Sequence, residues 1–183
     1  MTVLIVIIVI AVLILMYFVS TYNALVRLRN KVKDQWSQID VVLKNRYDLI
    51  PNLVETVKGY AKHEKETLNA VIEARSKAVS ATTSEEEMKA AGEVTQALGK
   101  LFALSESYPD LKANENFIKL QEDLKEMEEK IRYSRQFYND SVLSYKNKLE
   151  MFPSNIVAGI FGFKPEPFFE ANEEERKNVE VKF

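Results

Sequence analysis

Residues Val3 to Val19, VLIVIIVIAVLILMYFV, form an apolar run relieved only by the Tyr17 hydroxyl, with no charge, glycine or proline. A helix that is apolar on every side has no face to offer water, so it must be covered by protein or lie in lipid. It spans roughly 25 Å at about 1.5 Å per residue, close to a hydrocarbon core and extendable through Met1, Ser20 and Thr21. A cleaved signal peptide carries a basic leader and a small-residue cleavage site. Here the chain starts Met-Thr-Val and leaves the run through Tyr-Phe-Val-Ser-Thr-Tyr. Residues 1–21 therefore read as a retained transmembrane anchor, with the lipid bilayer as the first implied partner. A buried core helix would need a covering surface that a chain of 183 residues lacks.

Charge sets the expected orientation. Arg27, Arg29, Lys31 and Lys33 closely follow the span, and nothing before it is charged except the amino terminus. The positive-inside rule then puts the N-terminus outside and the following domain in the cytoplasm, as a single-pass protein of the cell membrane.

Only five glycines and five prolines punctuate the chain, which points to few, long elements and so to helices. No proline or glycine precedes Pro51, so the span runs on into a first amphipathic helix carrying Leu25, Val32, Trp36, Ile39, Leu43 and Tyr47. That helix is expected to end near Tyr47–Pro51, with Pro51 in the first turn of the next and Asp48 or Asn52 as its cap. The second helix runs to about Val79 on a stripe of Leu53, Val57, Tyr60/Ala61, Leu68, Val71/Ile72 and Val79. Ser84 with Glu87 has capping-box spacing for a third, to about Ser107, with Met88, Thr95, Leu98 and Phe102 facing the core beside Gly92 and Gly99. The stretch YPDLKAN reads as a turn with Asn114 as cap. A fourth helix, about Glu115 to Met151, stops before Pro153. No period-two alternation supports a sheet.

The expected fold is all-α, an N-terminal transmembrane helix continuing into an up-and-down antiparallel four-helix bundle. Residues 1–21 form the anchor, 22–152 the bundle, and 153–183 an apolar and then charged tail. The apolar residues Ile156, Val157, Ile160, Phe161 and Phe163 exceed what a solvated tail needs. An even number of helices brings them back to the membrane-proximal end, either into the bilayer interface or against the base of the bundle beside the anchor.

Several chemistries are disfavoured. The chain has no cysteine, which removes disulfides and thiolate sites, and its net charge of -2 opposes a general nucleic-acid binder. Its one histidine, His63, has Tyr60 three residues before it and Thr67 four after, so it fits neither Glu-x-x-His nor His-Glu-x-x-His. Neither a Gly-x-Ser-x-Gly elbow nor a phosphate-binding glycine loop occurs. No metal, cofactor or catalytic residue is expected.

Two polar groupings stand out. Asn52, Glu55, Thr56, Gly59 and His63 fall at spacings of three and four, opposite Leu53 and Val57. They make either a solvated face or a partner-docking strip relieved of bulk at Gly59. Glu64, Arg75 and Arg135 interrupt apolar stripes, which half-buried charges can do only when paired. They read as an inter-helix polar layer, or more sharply as the lining of a ligand pocket.

The segments YNALVRLRNKVKDQWSQIDVVLKNRYDLIPNLVETVKGYAKHE, YPDLKANENFIKLQEDL, RQFYNDSVLSYKNKLEMFP and SNIVAGIFGF closely resemble the LemA family of bacterial membrane-associated proteins. The likeness covers essentially the whole chain after the anchor. It implies an N-terminally anchored helical bundle and supplies no catalytic residue to carry over. Members of that family are linked to bacterial membrane organisation, including a magnetosome-membrane protein, which inclines the reading towards a scaffold. Some members also carry a lipoprotein cysteine just before the Tyr-Asn that is Tyr22-Asn23 here. This chain has Ser20-Thr21, so lipidation at that point is excluded. The expected function is a membrane-anchored, non-catalytic interaction or scaffold protein with a membrane or membrane-associated protein partner. The alternative is a tethered sensor or carrier of a small polar ligand held between helices.

Overall fold

The structure is a computed structural model that describes residues 1–170. The charged end of the tail, residues 171–183, lies outside the described residues. The described residues form six helices and no strand: α1 (Thr2–Tyr60), α2 (Lys65–Ser80), α3 (Ser84–Ser105), α4 (Pro109–Lys112), α5 (Glu115–Glu150) and α6 (Ser154–Ile160). They divide into two compact units, one of Met1–Ser37 with Gln136–Phe168 and the other of Gln38–Arg135 with Phe169 and Glu170.

In the first unit, α1 begins as the apolar run, and its side chains are exposed from Val3 through Tyr17. The helix is long and apolar enough to cross a membrane. Beyond it Leu25 and Val32 are buried, seven residues apart on one helix face. Trp36 packs edge-on against Tyr138 with ring centroids 5.6 Å apart, while Arg29 lies beside Tyr145, so α1 and α5 run antiparallel here. At the end of α5 the Ser154 hydroxyl lies 2.7 Å from the Lys148 carbonyl and 2.8 Å from that of Met151, which satisfies acceptors the helix end leaves open. The chain then forms α6. Gly162 stops it with φ +67, where a side chain would be strained, and Phe163 N–H closes back on the Ala158 carbonyl at 3.0 Å.

The second unit departs from the expected helix boundaries. α1 does not stop at Tyr47–Pro51; it continues through Pro51 to Tyr60, and the break falls at Ala61–Glu64. Neither Asp48 nor Asn52 caps a helix, and Asp48 instead pairs with Lys44. The expected second helix is thus divided between the last turns of α1 and α2. Its stripe still faces inward at Leu53, Val57, Ala61, Leu68 and Val71, but Val79 is exposed. α2 and α3 pack on each other, and Ala74 and Ala78 of one and Ala90, Ala91 and Val94 of the other are buried.

The capping box of α3 sits one residue earlier than expected. Thr83 is the cap and accepts from Glu86 N–H at 3.2 Å, while the Glu86 carboxylate accepts from Thr83 N–H at 3.2 Å. The bonds that Thr82 donates through its N–H and hydroxyl, and then the one from Thr83 N–H, hold the Glu86 carboxyl below its ordinary pKa. YPDLKAN contains one helical turn, α4, with Pro109 in its first position. Asn114 caps α5 as expected, accepting from Phe117 N–H at 2.9 Å.

Candidate functional site

Pro51 explains the first polar contact of the second unit. A proline within a helix lacks the N–H that would reach the carbonyl four residues back, and its ring crowds that carbonyl, at a cost of about 3 kcal/mol. The deprived carbonyl belongs to Tyr47, and Arg75 Nε from α2 donates to it at 2.8 Å. A hydrogen bond from a charged group contributes about 1.5–3 kcal/mol, which offsets much of that penalty. Arg75 therefore lets α1 run on past Pro51.

One helical turn away, Arg46 is the largest fully buried side chain. Its Nη1 donates to Glu128 of α5 at 2.7 Å, and its Nη2 to the Ala91 carbonyl at 3.0 Å and the Thr95 hydroxyl at 3.1 Å, both on α3. Burial lowers its pKa, and Glu128 opposes the shift. One guanidinium thus ties three helices together. The Tyr47 hydroxyl beside it is buried with no partner among the described residues, and burial pushes its pKa up to about 12. Nearby, Glu87 and Asp40 bring two carboxyl groups into hydrogen-bonding contact. Partial burial, and then the charge of Asp40, push the Glu87 pKa up to about 7.

Thr95 and Glu128, two partners of Arg46, also line an open cleft of ≈ 350 Å³ between α3 and α5, walled by Leu98, Phe102 and Leu124. Gly99 borders it, with open space where a Cβ would stand. The arrangement can fix helix register and offers a polar-floored, apolar-walled cleft. Among the described residues no group of three or more His, Asp or Glu converges as metal ligands.

Asn52, Glu55, Gly59 and His63 are exposed and Thr56 is half-buried, on the last turns of α1 and the turn after it, with Leu53, Val54 and Val57 buried on the other side. Among the described residues nothing lies within 4 Å of where a Cβ of residue 59 would stand, so their packing does not require Gly59 to be small. Glu64, Arg75 and Arg135 are not brought together. Glu64 accepts from the Tyr108 hydroxyl at 2.8 Å, and Arg75 holds the Tyr47 carbonyl. Arg135 donates to the Glu170 carbonyl at 3.1 Å and lies 4.5 Å over the Phe169 ring.

In the first unit the tail residues meet α1. Val157 is fully buried, Phe161 and Phe163 flank Tyr22 at 4.8 and 5.6 Å between centroids, and the Arg29 guanidinium lies 5.2 Å over Phe163. Ile156, Ile160 and Phe161 remain exposed. Tyr138, its pKa raised to about 12 by burial, donates to the Pro167 carbonyl at 2.8 Å and pins the strand-less end of this segment.

Sequence reasoning missed Arg46, Glu128 and the Asp40–Glu87 pair. A signal for Arg46 existed, since it falls on the Ile39, Leu43, Ile50 face at helical spacing.

Among known proteins, this chain is similar to Protein LemA of Metamycoplasma hominis, with 28% identity over 90% of this chain and 75% of the relative. It is similar to Magnetosome protein MamQ 2 of Paramagnetospirillum magneticum, 27% identical over 88% of this chain and 71% of the relative. Magnetosome protein MamQ of Magnetospirillum gryphiswaldense is 26% identical over 87% and 70% respectively. The LemA family model matches residues 35–183, most of the length, and the chain belongs to the LemA family.

Proposed function

We propose that this membrane-associated member of the LemA family is a single-pass, non-catalytic interaction or scaffold protein that binds a membrane or membrane-associated protein through its helical region. The observation that carries the reading is α1 itself. Its first turns expose apolar side chains on every side, and the same helix then buries a single stripe from Leu25 onward. A helix of that kind is solvated by lipid at one end and by protein and water at the other. In this reading residues 1–21 cross the bilayer with the N-terminus outside, and 22–152 are cytoplasmic, as the basic residues after the span favour. The helices of 22–152 form the up-and-down antiparallel four-helix bundle, with α1, α2, α3 and α5 as its members. The ties of Arg46 to α3 and α5, and of Arg75 to α1, support it.

The docking strip is Asn52, Glu55, Thr56, Gly59 and His63, and the unfilled space at Gly59 supports it. The test is in-membrane photo-crosslinking from Asn52, Glu55 and His63, with Lys119 as the control site. One specific product at the strip and none at Lys119 is expected; diffuse capture from all four positions would remove the docking strip.

A second reading, a carrier of a small polar ligand between helices, is favoured by the α3–α5 cleft over Thr95 and Glu128. Glu64, Arg75 and Arg135, each with its own partner, form no common lining.

A further inference from the structure

α6 is apolar on two sides. Ser154, Val157 and Ala158 face the protein and are buried. Ile156 and Ile160, four residues apart and so on one face, are 48% and 63% exposed. Met151 and Phe152, just ahead of α6, are exposed at 62% and 79%, and Phe161 after it at 54%. A short segment that spends apolar side chains on both its inner and its outer face is poorly suited to water.

What covers the outer face follows from its depth. The Phe161 ring packs at a tilt against Tyr22, and with Phe18, Val19 and Tyr22 it walls an apolar groove that continues along Ala11, Ile14 and Leu15. The contact fixes α6 beside the last turns of the span. If Val3–Val19 lie in hydrocarbon, Phe161 stands where the hydrocarbon meets the headgroups. Aromatic rings with basic neighbours suit that level, and Arg29 over Phe163 and the exposed Lys164 supply the charge.

We infer that α6 is a second membrane contact, an interfacial foot whose Ile156–Ile160 face and Phe161 enter the bilayer beside the anchor. The inference rests on the anchor reading above and adds to it a fixed depth and rotational setting for the end of the span. One transmembrane helix alone can tilt and turn in a bilayer; a foot bound to its side restricts both.

The test uses the full chain in phosphatidylethanolamine–phosphatidylglycerol vesicles. Because the protein has no cysteine, each variant carries one environment-sensitive fluorophore at a chosen site. The sites are Ile160→Cys, Ser20→Cys at the end of the span and Lys119→Cys on α5, all exposed positions. Lipids carrying a spin label near the headgroup should quench the Ile160 label to within about twofold of the Ser20 label, and leave the Lys119 label untouched. Quenching of the Ile160 label by aqueous iodide instead would place α6 in water and overturn the inference. Quenching by neither agent would mean that protein, such as a second copy of the chain, covers the face, and would overturn it too. Loss of lipid quenching at Ser20 would bring down the anchor reading itself, which separates the two failures.

Discussion

Thr2–Ser20 and Leu43–Tyr60 are stretches of the same helix, yet they meet their surroundings in opposite ways. The first has no charge and buries almost nothing. The second carries charges throughout, buries Leu43, Ile50, Leu53 and Val57, and takes a fully buried arginine into its core face. In the proposed reading the first segment is stabilised by the lipid around it and the second by partners supplied by other helices. Added charge should therefore be damaging in one stretch, and the loss of a charged partner harmful to the other.

The strongest way to break that contrast is to put charge into the span. Each charge near the centre of a membrane helix costs about 2.5–3.5 kcal/mol, against about −0.3 to −0.6 for each apolar residue. One aspartate should be tolerated. The pair Ile10→Asp with Val12→Asp costs about 6 kcal/mol and approaches the total that drives insertion. Carbonate extraction of membranes should release the double variant and retain either single one.

The converse change removes a countercharge from the second stretch. Arg46 is buried, whereas Glu128 keeps 41% of its side-chain exposure, so the two sides of the pair are unequal. Glu128→Ala strands a buried guanidinium and should destabilise by about 3–5 kcal/mol. Arg46→Met leaves a carboxylate that can hydrate, and Arg46→Met with Glu128→Leu should be milder than Glu128→Ala alone. Denaturation of the detergent-solubilised chain measures all three.

Arg75 and Pro51 should show a dependence that neither has alone. Arg75→Ala removes the donor to Tyr47 and should cost about 1.5–3 kcal/mol. In a Pro51→Ala background a backbone N–H serves that carbonyl, so the same substitution should lose much of its effect. A double-mutant cycle with no coupling would mean that Arg75 does not compensate for the proline.

Much of this fold was legible in the sequence. The apolar run, the stripe from Leu25 to Tyr47, the Asn114 cap and the extent of α5 all follow from periodicity and capping, which are local. The boundary at Pro51 was not legible, because what permits the helix to continue is an arginine 24 residues further on. Arg46 escaped notice for the same reason: with a stop assumed at Tyr47–Pro51, the stripe that includes it was cut short. Glu86 rather than Glu87 closes the α3 capping box because Glu87 faces Asp40, a contact that sequence spacing cannot show.

The smallest expected effect is a pH dependence. Glu87 has a folded-state pKa raised to about 7 by burial and Asp40, so the folded protein holds its proton where the unfolded chain has lost it. Stability from this group is full below the ordinary carboxyl range and is lost as pH rises through about 7. The group is half-buried and still meets solvent, so screening reduces the swing to about 1 kcal/mol. Glu87→Gln should flatten the stability profile between pH 5 and 8 (roughly the window of the shift) and raise stability at its alkaline end.

The contrast between the two stretches of α1 is most directly tested by where they lie in the cell. Single cysteines at Thr2 and at Glu85, in the otherwise cysteine-free chain, are exposed to a membrane-impermeant thiol reagent before and after lysis. The account predicts that Thr2→Cys reacts in intact cells and that Glu85→Cys reacts only once they are opened. Reaction of Glu85→Cys in intact cells would contradict the cytoplasmic assignment, and equal reaction of both positions in intact cells would contradict the crossing itself.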